Sequence, residues 1–157
     1  ISELLRYQLY GGNQKVSILQ EIDYLKTYIA LRKLRMSERL RLRVEFPPEL
    51  NELNIYPLLF LPLVENAFKY VGGDYQLDII MKWENNRISL FIRNSIPELS
   101  AEDEALRKSV DERQRKGIGL VNLRRRLSLL YPNKHRLETR KEETEFVAEL
   151  MIEIEDI

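Results

Sequence analysis

A short apolar segment of this chain carries side chains that together could bind a metal ion and phosphate. Residues 61–70 read LPLVENAFKY, and Glu65, Asn66, Lys69 and Tyr70 interrupt an otherwise apolar pattern. A carboxamide oxygen such as that of Asn66 is a neutral, hard ligand suited to Mg²⁺, which keeps phosphate oxygens as further ligands. Lys69 can meet phosphate charge and Tyr70 a sugar–phosphate group, while Glu65 is the candidate catalytic carboxylate. The alternative is a helix whose polar edge only meets water.

A second segment places two glycines directly before an amphipathic pattern. Residues 116–127 read KGIGLVNLRRRL, with Gly117 and Gly119 at the start of a predicted helix. The backbone N–H groups of a helix N-terminus are ready donors to anions. The alternative is an ordinary loop-to-helix turn, because short Gly-x-Gly strings are common. A P-loop is excluded, since the chain has no Gly-x-x-x-x-Gly-Lys-Ser/Thr.

Two further groups of polar residues are less specific. Asn94 and Ser95 follow a predicted strand and are typical of a turn. Arg124, Arg125 and Arg126, with a second basic run at 134–136, form a local basic cluster. This cluster suits a solvated helix face, and a nucleic-acid surface is the alternative, although few aromatic residues are interleaved with it. The single histidine in that run, at position 135, is predicted to lie in a surface loop.

Composition sets limits on the class of protein. The 157 residues contain 25 Lys and Arg against 25 Asp and Glu, so net charge gives no case for nucleic-acid or membrane binding. There is no cysteine and one histidine, which excludes disulfides and metal sites built from these residues. No apolar run approaches the ~18 residues of a membrane span. Because the chain starts without Met and directly in a helical pattern, we expect a piece of a longer protein.

The elements that would position these groups follow from periodicity. The pattern predicts helices at 2–10, 16–36, 57–71 (with a kink or late start at Pro62) and 117–131. The helix over 16–36 carries the apolar stripe Ile18, Ile22, Leu25 and Ile29, with Glu21 and Asp23 outside it. Strands are predicted at 40–46, 76–83, 87–92, 137–141 and 145–154, and a charged loop at 97–115. Strands and helices do not strictly alternate, so the expected class is α+β, with a mixed, largely antiparallel sheet covered by helices on one face.

At this point the chain resembles a known family. Asn66-Ala67-x-Lys69-Tyr70 resembles the N box of sensor histidine kinases, and Gly117-Ile118-Gly119-Leu120-x-Asn122-x-x-x-Arg126-Leu127 resembles their second glycine box. The runs at 4–7, 21–35 and 62–67 are similar to the LytS/YehU type of these kinases. The resemblance covers essentially the whole chain.

The resemblance implies a two-layer α/β sandwich of the Bergerat type that binds Mg-ATP. It places a helical dimerisation segment at 1–38 and the ATP-binding domain at 39–157. In this interpretation Asn66 holds Mg²⁺, while Lys69 and Tyr70 flank the phosphates. Gly117, Gly119, Leu120 and Asn122 of the glycine box belong to the cofactor-binding set, under a lid at 97–116.

The resemblance also implies an activity and partners. The kinase would phosphorylate a histidine and then a response regulator, of the LytTR type. It would act as a homodimer, without direct nucleic-acid contact, in the cytoplasmic part of a bacterial membrane protein. The family's phosphoacceptor histidine belongs to a segment expected upstream of Ile1.

One motif departs from the family pattern. The first glycine box usually reads Asp-x-Gly-x-Gly, and its Asp accepts the adenine amino group. Here that position is Asn94, followed by Ser95-Ile96-Pro97 without the glycines. A carboxamide oxygen can accept the same hydrogen bond, but without charge assistance. The alternative function is therefore a degenerate docking and dimerisation module of the same fold.

Overall fold

The computed structural model describes residues 14–48, 50, 52–98 and 118–154. In this part of the chain, three helices cover one face of a five-stranded sheet, and a two-stranded sheet lies beside them. The predicted helix at 2–10, most of the predicted loop at 97–115 and Gly117 lie outside the described residues. The predicted α+β class with a mixed, largely antiparallel sheet is confirmed.

The first long element is helix α1, Ile18–Arg35, which follows strand β1, Val16–Ser17. The Ser17 hydroxyl caps the helix by accepting a hydrogen bond from the Leu19 N–H at 3.2 Å. Its predicted stripe is buried against the rest of the molecule: Ile18, Ile22, Leu25 and Ile29 are each at most 5% exposed. They belong to the same core as the sheet and the other two helices.

The five strands of the larger sheet are β2 (Arg41–Glu45), β4 (Gln76–Glu84), β5 (Arg87–Ser95), β6 (His135–Lys141) and β7 (Glu145–Glu153). They lie side by side in the order β2-β4-β5-β7-β6. β2 is parallel to β4 and the remaining pairs are antiparallel. The short strand β3, Asn54–Ile55, pairs with β1 and was not predicted. Asn85 and Asn86 close the β4–β5 hairpin with φ of 51° and 60°, as a tight turn requires.

Helix α2 spans Leu61–Tyr70 and begins late, as Pro62 predicts for a residue of the first turn. The prediction that this helix starts at Pro57 is wrong. Leu58 has a φ of +61°, a left-handed conformation that an α-helix cannot contain, so the chain turns at 57–60 before α2 begins.

The last helix, α3, spans Ile118–Leu130 and leads into the β6–β7 hairpin. Leu123, Leu127 and Tyr131 pack into the common core. The prediction of a surface loop at His135 is wrong: His135 is the first residue of β6, and its Nδ1 lies 2.7 Å from the Tyr131 carbonyl oxygen. No helix among the described residues is both long and apolar enough to cross a membrane.

Candidate functional site

The candidate metal and phosphate residues lie on the outer arc of α2. Its inner arc, with Leu63, Val64 and Ala67, is buried. Asn66 and Tyr70 are partly exposed and Lys69 is exposed. Because positions 66, 69 and 70 are three and four apart, these three residues share one side of the helix and can meet the same ligand.

The C-terminal end of α2 is tied to the end of β5. The Gly72 N–H donates to the Ser95 carbonyl at 2.9 Å, and the Ser95 hydroxyl donates to the Gly72 carbonyl at 2.7 Å. Gly73 follows with a φ of +60°, and a Cβ there would lie 2.8 Å from the Ile96 carbonyl oxygen. Only glycine allows this approach without strain, which brings the last turn of α2 beside the residues that end β5.

Asn94 lies at this same end of the molecule. Its side chain is 1% exposed, and its register partners Leu77 and Phe146 are buried on the helix-covered face of the sheet. Its amide nitrogen lies 3.4 Å from the Ser95 carbonyl oxygen. A neutral carboxamide therefore stands inside the molecule, on the side of the sheet that carries α2.

Helix α3 packs against α2, and two contacts near its C-terminal end join it to the turn that precedes α2. An Arg126 guanidinium nitrogen donates to the Leu58 carbonyl at 3.4 Å, and the Tyr56 N–H donates to the Tyr131 hydroxyl at 3.2 Å. The late residues of α3 thus lie beside the turn that precedes α2.

The glycine-box residues occupy the first turn of α3. Leu120 packs partly against the core, whereas Gly119 and Asn122 are exposed. A Cβ built on Gly119 meets no atom within 4 Å, so packing among the described residues does not explain a glycine at this position. Gly117 lies outside the described residues.

Glu65, the candidate catalytic carboxylate, lies on the α1 side of α2. Although the residue as a whole is exposed, partial burial of its carboxyl group raises its pKa, and Arg32 of α1 partly offsets this rise. Burial and the Glu65 charge also raise the pKa values of Tyr24 and Tyr28 in α1. Because neighbouring residues of a helix are turned by about 100°, Glu65 and Asn66 face different surroundings.

Sequence reasoning missed a buried carboxylate. Glu21 was placed outside the apolar stripe of α1, but it is 1% exposed and accepts a hydrogen bond from the Leu58 N–H at 3.1 Å. A signal was present, because Glu21 stands three residues after Ile18 and four before Leu25, on the buried face.

The three successive arginines of α3 do not form one surface. Arg126 turns inward toward Leu58, Arg124 donates to the Leu137 carbonyl at 3.1 Å, and Arg125 is exposed. The prediction of a common solvated face is therefore wrong for Arg126.

Comparisons with known proteins agree with this architecture. A family model described as histidine kinase matches residues 1–40. The solved catalytic domain of histidine kinase ThkA has a TM-score of 0.62 at 15% identity, covering 90% of this chain and 96% of that one. The mycobacterial sensor histidine kinase MprB has a TM-score of 0.58 at 13% identity, covering 92% and 99%. The fold is thus that of histidine kinase catalytic domains.

The chain is also similar in sequence to a curated protein. The sensor protein kinase HptS of Staphylococcus aureus (strain USA300) is 28% identical over 142 residues, which cover 87% of this chain. The chain spans 27% of the length of that relative. The resemblance to sensor histidine kinases that the two boxes predicted is confirmed.

Proposed function

We propose that this chain is the ATP-binding catalytic part of a sensor histidine kinase of the LytS/YehU type. The observation that carries the proposal is the arrangement of three elements. The buried amide of Asn94 lies near the end of α2, the outer arc of α2 carries Asn66, and α3, whose first turn carries Gly119, packs against α2. These are the boxes that the family uses to bind a nucleotide.

The donors present fit a magnesium nucleotide. The described residues contain no group of three or more His, Cys, Asp or Glu side chains that could hold a metal. Mg²⁺ usually rests on one or two protein oxygens and on substrate phosphates, so the Asn66 amide oxygen suits it. Lys69 would neutralise phosphate charge, and the N–H groups at the start of α3 would donate to phosphate oxygens.

We also propose the partners and setting of the parent protein. As a histidine kinase it transfers the terminal phosphate of ATP to a histidine and then to the aspartate of a response regulator. We assign the regulator to the LytTR type and the parent to a homodimer at the bacterial membrane, with this part in the cytoplasm. The likeness to a sensor protein kinase over most of the chain supports the kinase activity and the response-regulator partner.

A second candidate function is a non-catalytic docking module of the same fold. The neutral Asn94 and the Ser95-Ile96-Pro97 that follows it favour this alternative. Without the carboxylate, the hydrogen bond to the adenine amino group loses its charge assistance. Nucleotide binding decides between the two functions.

The test is a titration of a fluorescent ATP analogue, with and without Mg²⁺. The chain without substitutions, called the parent in the experiments, should bind the analogue more tightly with Mg²⁺ than without it. Asn66→Ala should remove most of that difference because the metal loses its protein ligand. Asn54→Ala, which replaces an exposed residue of β3, is the control and should titrate like the parent. If Asn66→Ala also titrates like the parent, the metal assignment is wrong. No binding by the parent would favour the docking module.

A further inference from the structure

Glu21 is a charged side chain inside the helix layer. It lies on the inner face of α1 and is 1% exposed. Its carboxylate accepts the Leu58 N–H at 3.1 Å. Burying a carboxylate is unfavourable unless hydrogen bonds and an opposite charge offset the lost hydration. A glutamate at this position therefore calls for a role that an apolar residue could not perform.

The backbone that Glu21 contacts is itself strained. Leu58 has a φ of +61°, which a bulky L-residue rarely adopts. Glu21 of α1 holds the N–H of Leu58, and Arg126 of α3 donates to its carbonyl oxygen at 3.4 Å. Two charged side chains from different helices thus hold both backbone polar groups of one strained residue, which lies three residues before α2 begins.

Further contacts join α3 to Glu21 and to the segment before α2. Burial lowers the pKa of Arg126, and the negative charge of Glu21 opposes this shift. The Tyr131 hydroxyl accepts the Tyr56 N–H at 3.2 Å, and the two rings meet edge to face with centroids 5.6 Å apart. Glu21, Tyr56, Leu58, Arg126 and Tyr131 form what we call the Glu21 junction. It connects α1 to the start of α2 and to the C-terminal half of α3.

The junction lies away from the candidate nucleotide residues but on the same two helices. Arg126 is seven residues from Gly119, which corresponds to about 10 Å along a helix. Helices move as stiff bodies, so the contacts that fix one end of α2 and α3 also set their separation at the other end. Asn66 and Lys69 of α2 and Gly119 of α3 lie farther along these same two helices from the junction.

We propose that Glu21 is a positioning residue, and that the placement of α1 against the Glu21 junction sets the nucleotide affinity of the site between α2 and α3. The proposal rests on the function proposed above. A displacement of α1 that withdraws the carboxylate leaves the half-buried Arg126 without its countercharge and Leu58 without its N–H acceptor. Both losses favour a different arrangement of α2 and α3.

The test compares Glu21→Gln with Asp23→Asn, a matched change on the exposed face of the same helix. Urea unfolding first gives the free energy of unfolding of each variant. The fluorescent ATP analogue is then titrated in Mg²⁺ into a separate sample, at a temperature where the protein is fully folded. Glu21→Gln should weaken binding about fivefold or more, in the usual range for coupled sites, and Asp23→Asn should not change it. A purely structural glutamate would lower stability and leave the affinity of the folded protein unchanged.

A milder variant keeps the test usable if Glu21→Gln does not fold. Arg126→Lys retains the positive charge but loses the planar donor group that reaches Leu58. Its control is Arg125→Lys, at an exposed position of the same helix. Arg126→Lys should weaken nucleotide binding in the same direction as Glu21→Gln, and Arg125→Lys should match the parent.

Amide hydrogen exchange gives a readout that does not depend on a nucleotide. In the Glu21 variant, amides at 122–124, which lie before Arg126 in α3 and have intrahelical acceptors, should exchange faster, while those of the Asp23 variant should not. If only amides at 56–60 and 126–131 respond, or if both junction variants bind nucleotide like the parent, the proposal is overturned. If the parent itself binds no nucleotide, the proposed function fails, and hydrogen exchange alone decides whether Glu21 positions α3.

Discussion

Asn94 is a residue of the candidate site at which the chain differs from the family's first glycine box. Its side chain is almost fully buried on the face of the sheet that carries α2. Within the sheet it pairs with Leu77 of β4 and Phe146 of β7. An amide replaces a carboxylate at the position that would accept the adenine amino group.

Asn94→Asp should therefore tighten adenine nucleotides. A charge-assisted hydrogen bond should add about 1 kcal/mol or more to binding. The free protein should melt at a lower temperature, because the new carboxylate is buried and can no longer donate to Ser95 as the amide does. Parallel titrations with ATP and GTP analogues check this. An equal gain for GTP, or none for ATP, would show that Asn94 does not face the adenine.

Glu65 gives a prediction about pH. Partial burial raises the pKa of its carboxyl group above the ordinary value of 4.5. The folded state thus binds this proton more tightly than the unfolded state does, and the parent loses stability as pH rises through the raised pKa. Glu65→Gln should therefore be more stable than the parent at pH 7, and the difference should vanish toward pH 4. Urea unfolding at several pH values measures it, with the exposed Glu84→Gln as control. A difference that does not depend on pH would contradict the assignment.

At the scale of elements, Gly119 in the first turn of α3 can be compared with Gly73 after α2. Gly119 is exposed, and no atom lies within 4 Å of a Cβ placed there. Gly73, in contrast, has a left-handed φ and no room beside the Ile96 carbonyl oxygen. The two glycines thus look alike in the sequence but meet opposite constraints in the fold.

Gly119→Ala should leave the free energy of unfolding unchanged or raise it by up to about 1 kcal/mol, since alanine is the better helix former. It should also weaken nucleotide binding, because the added methyl group occupies the space through which phosphate approaches the helix N-terminus. Gly73→Ala should instead lower stability by about 1–3 kcal/mol through backbone strain. Urea unfolding and ATP-analogue titration of both variants check these outcomes. Full nucleotide affinity in Gly119→Ala would remove this turn from the site.

At the scale of the whole molecule, α1 shares one core with the sheet and the other two helices. Tyr28 of α1 meets Phe68 of α2 edge to face, with ring centroids 6.2 Å apart. Arg32 lies 5.7 Å from the centroid of the same Phe68 ring. The apolar stripe that the sequence predicts for α1 is thus buried against the sheet and the other helices of this chain. The domain boundary after residue 38 stays a prediction.

Ile22→Asp should destabilise the protein by about 3 kcal/mol or more, because it buries a charge without a partner. Leu34→Asp is the matched control on the same helix: Leu34 is 83% exposed and Ile22 only 5%. Urea unfolding with light scattering gives both stability and mass. If the Leu34 variant loses as much stability as the Ile22 variant, α1 packs through the opposite face.

The sequence by itself determined most elements and the identity of the candidate site residues. Apolar residues at intervals of three and four predicted α1, and alternation predicted the strands, because these patterns arise between near neighbours. Asn66, Lys69 and Gly119 stood out because their types and spacing are chemically unusual for such segments. The late start of α2 was likewise visible in Pro62.

The tertiary structure alone decided which ends of these elements meet. Arg126 reaches Leu58 across 68 positions of the chain, and Asn94 reaches the end of α2 through the Ser95–Gly72 hydrogen bonds. No local pattern encodes such pairs, because they depend on how α2, α3 and the sheet pack as whole bodies. The inward turn of Glu21 has the same cause: a carboxylate can occupy a buried position only where the fold brings it a backbone N–H and a nearby positive charge.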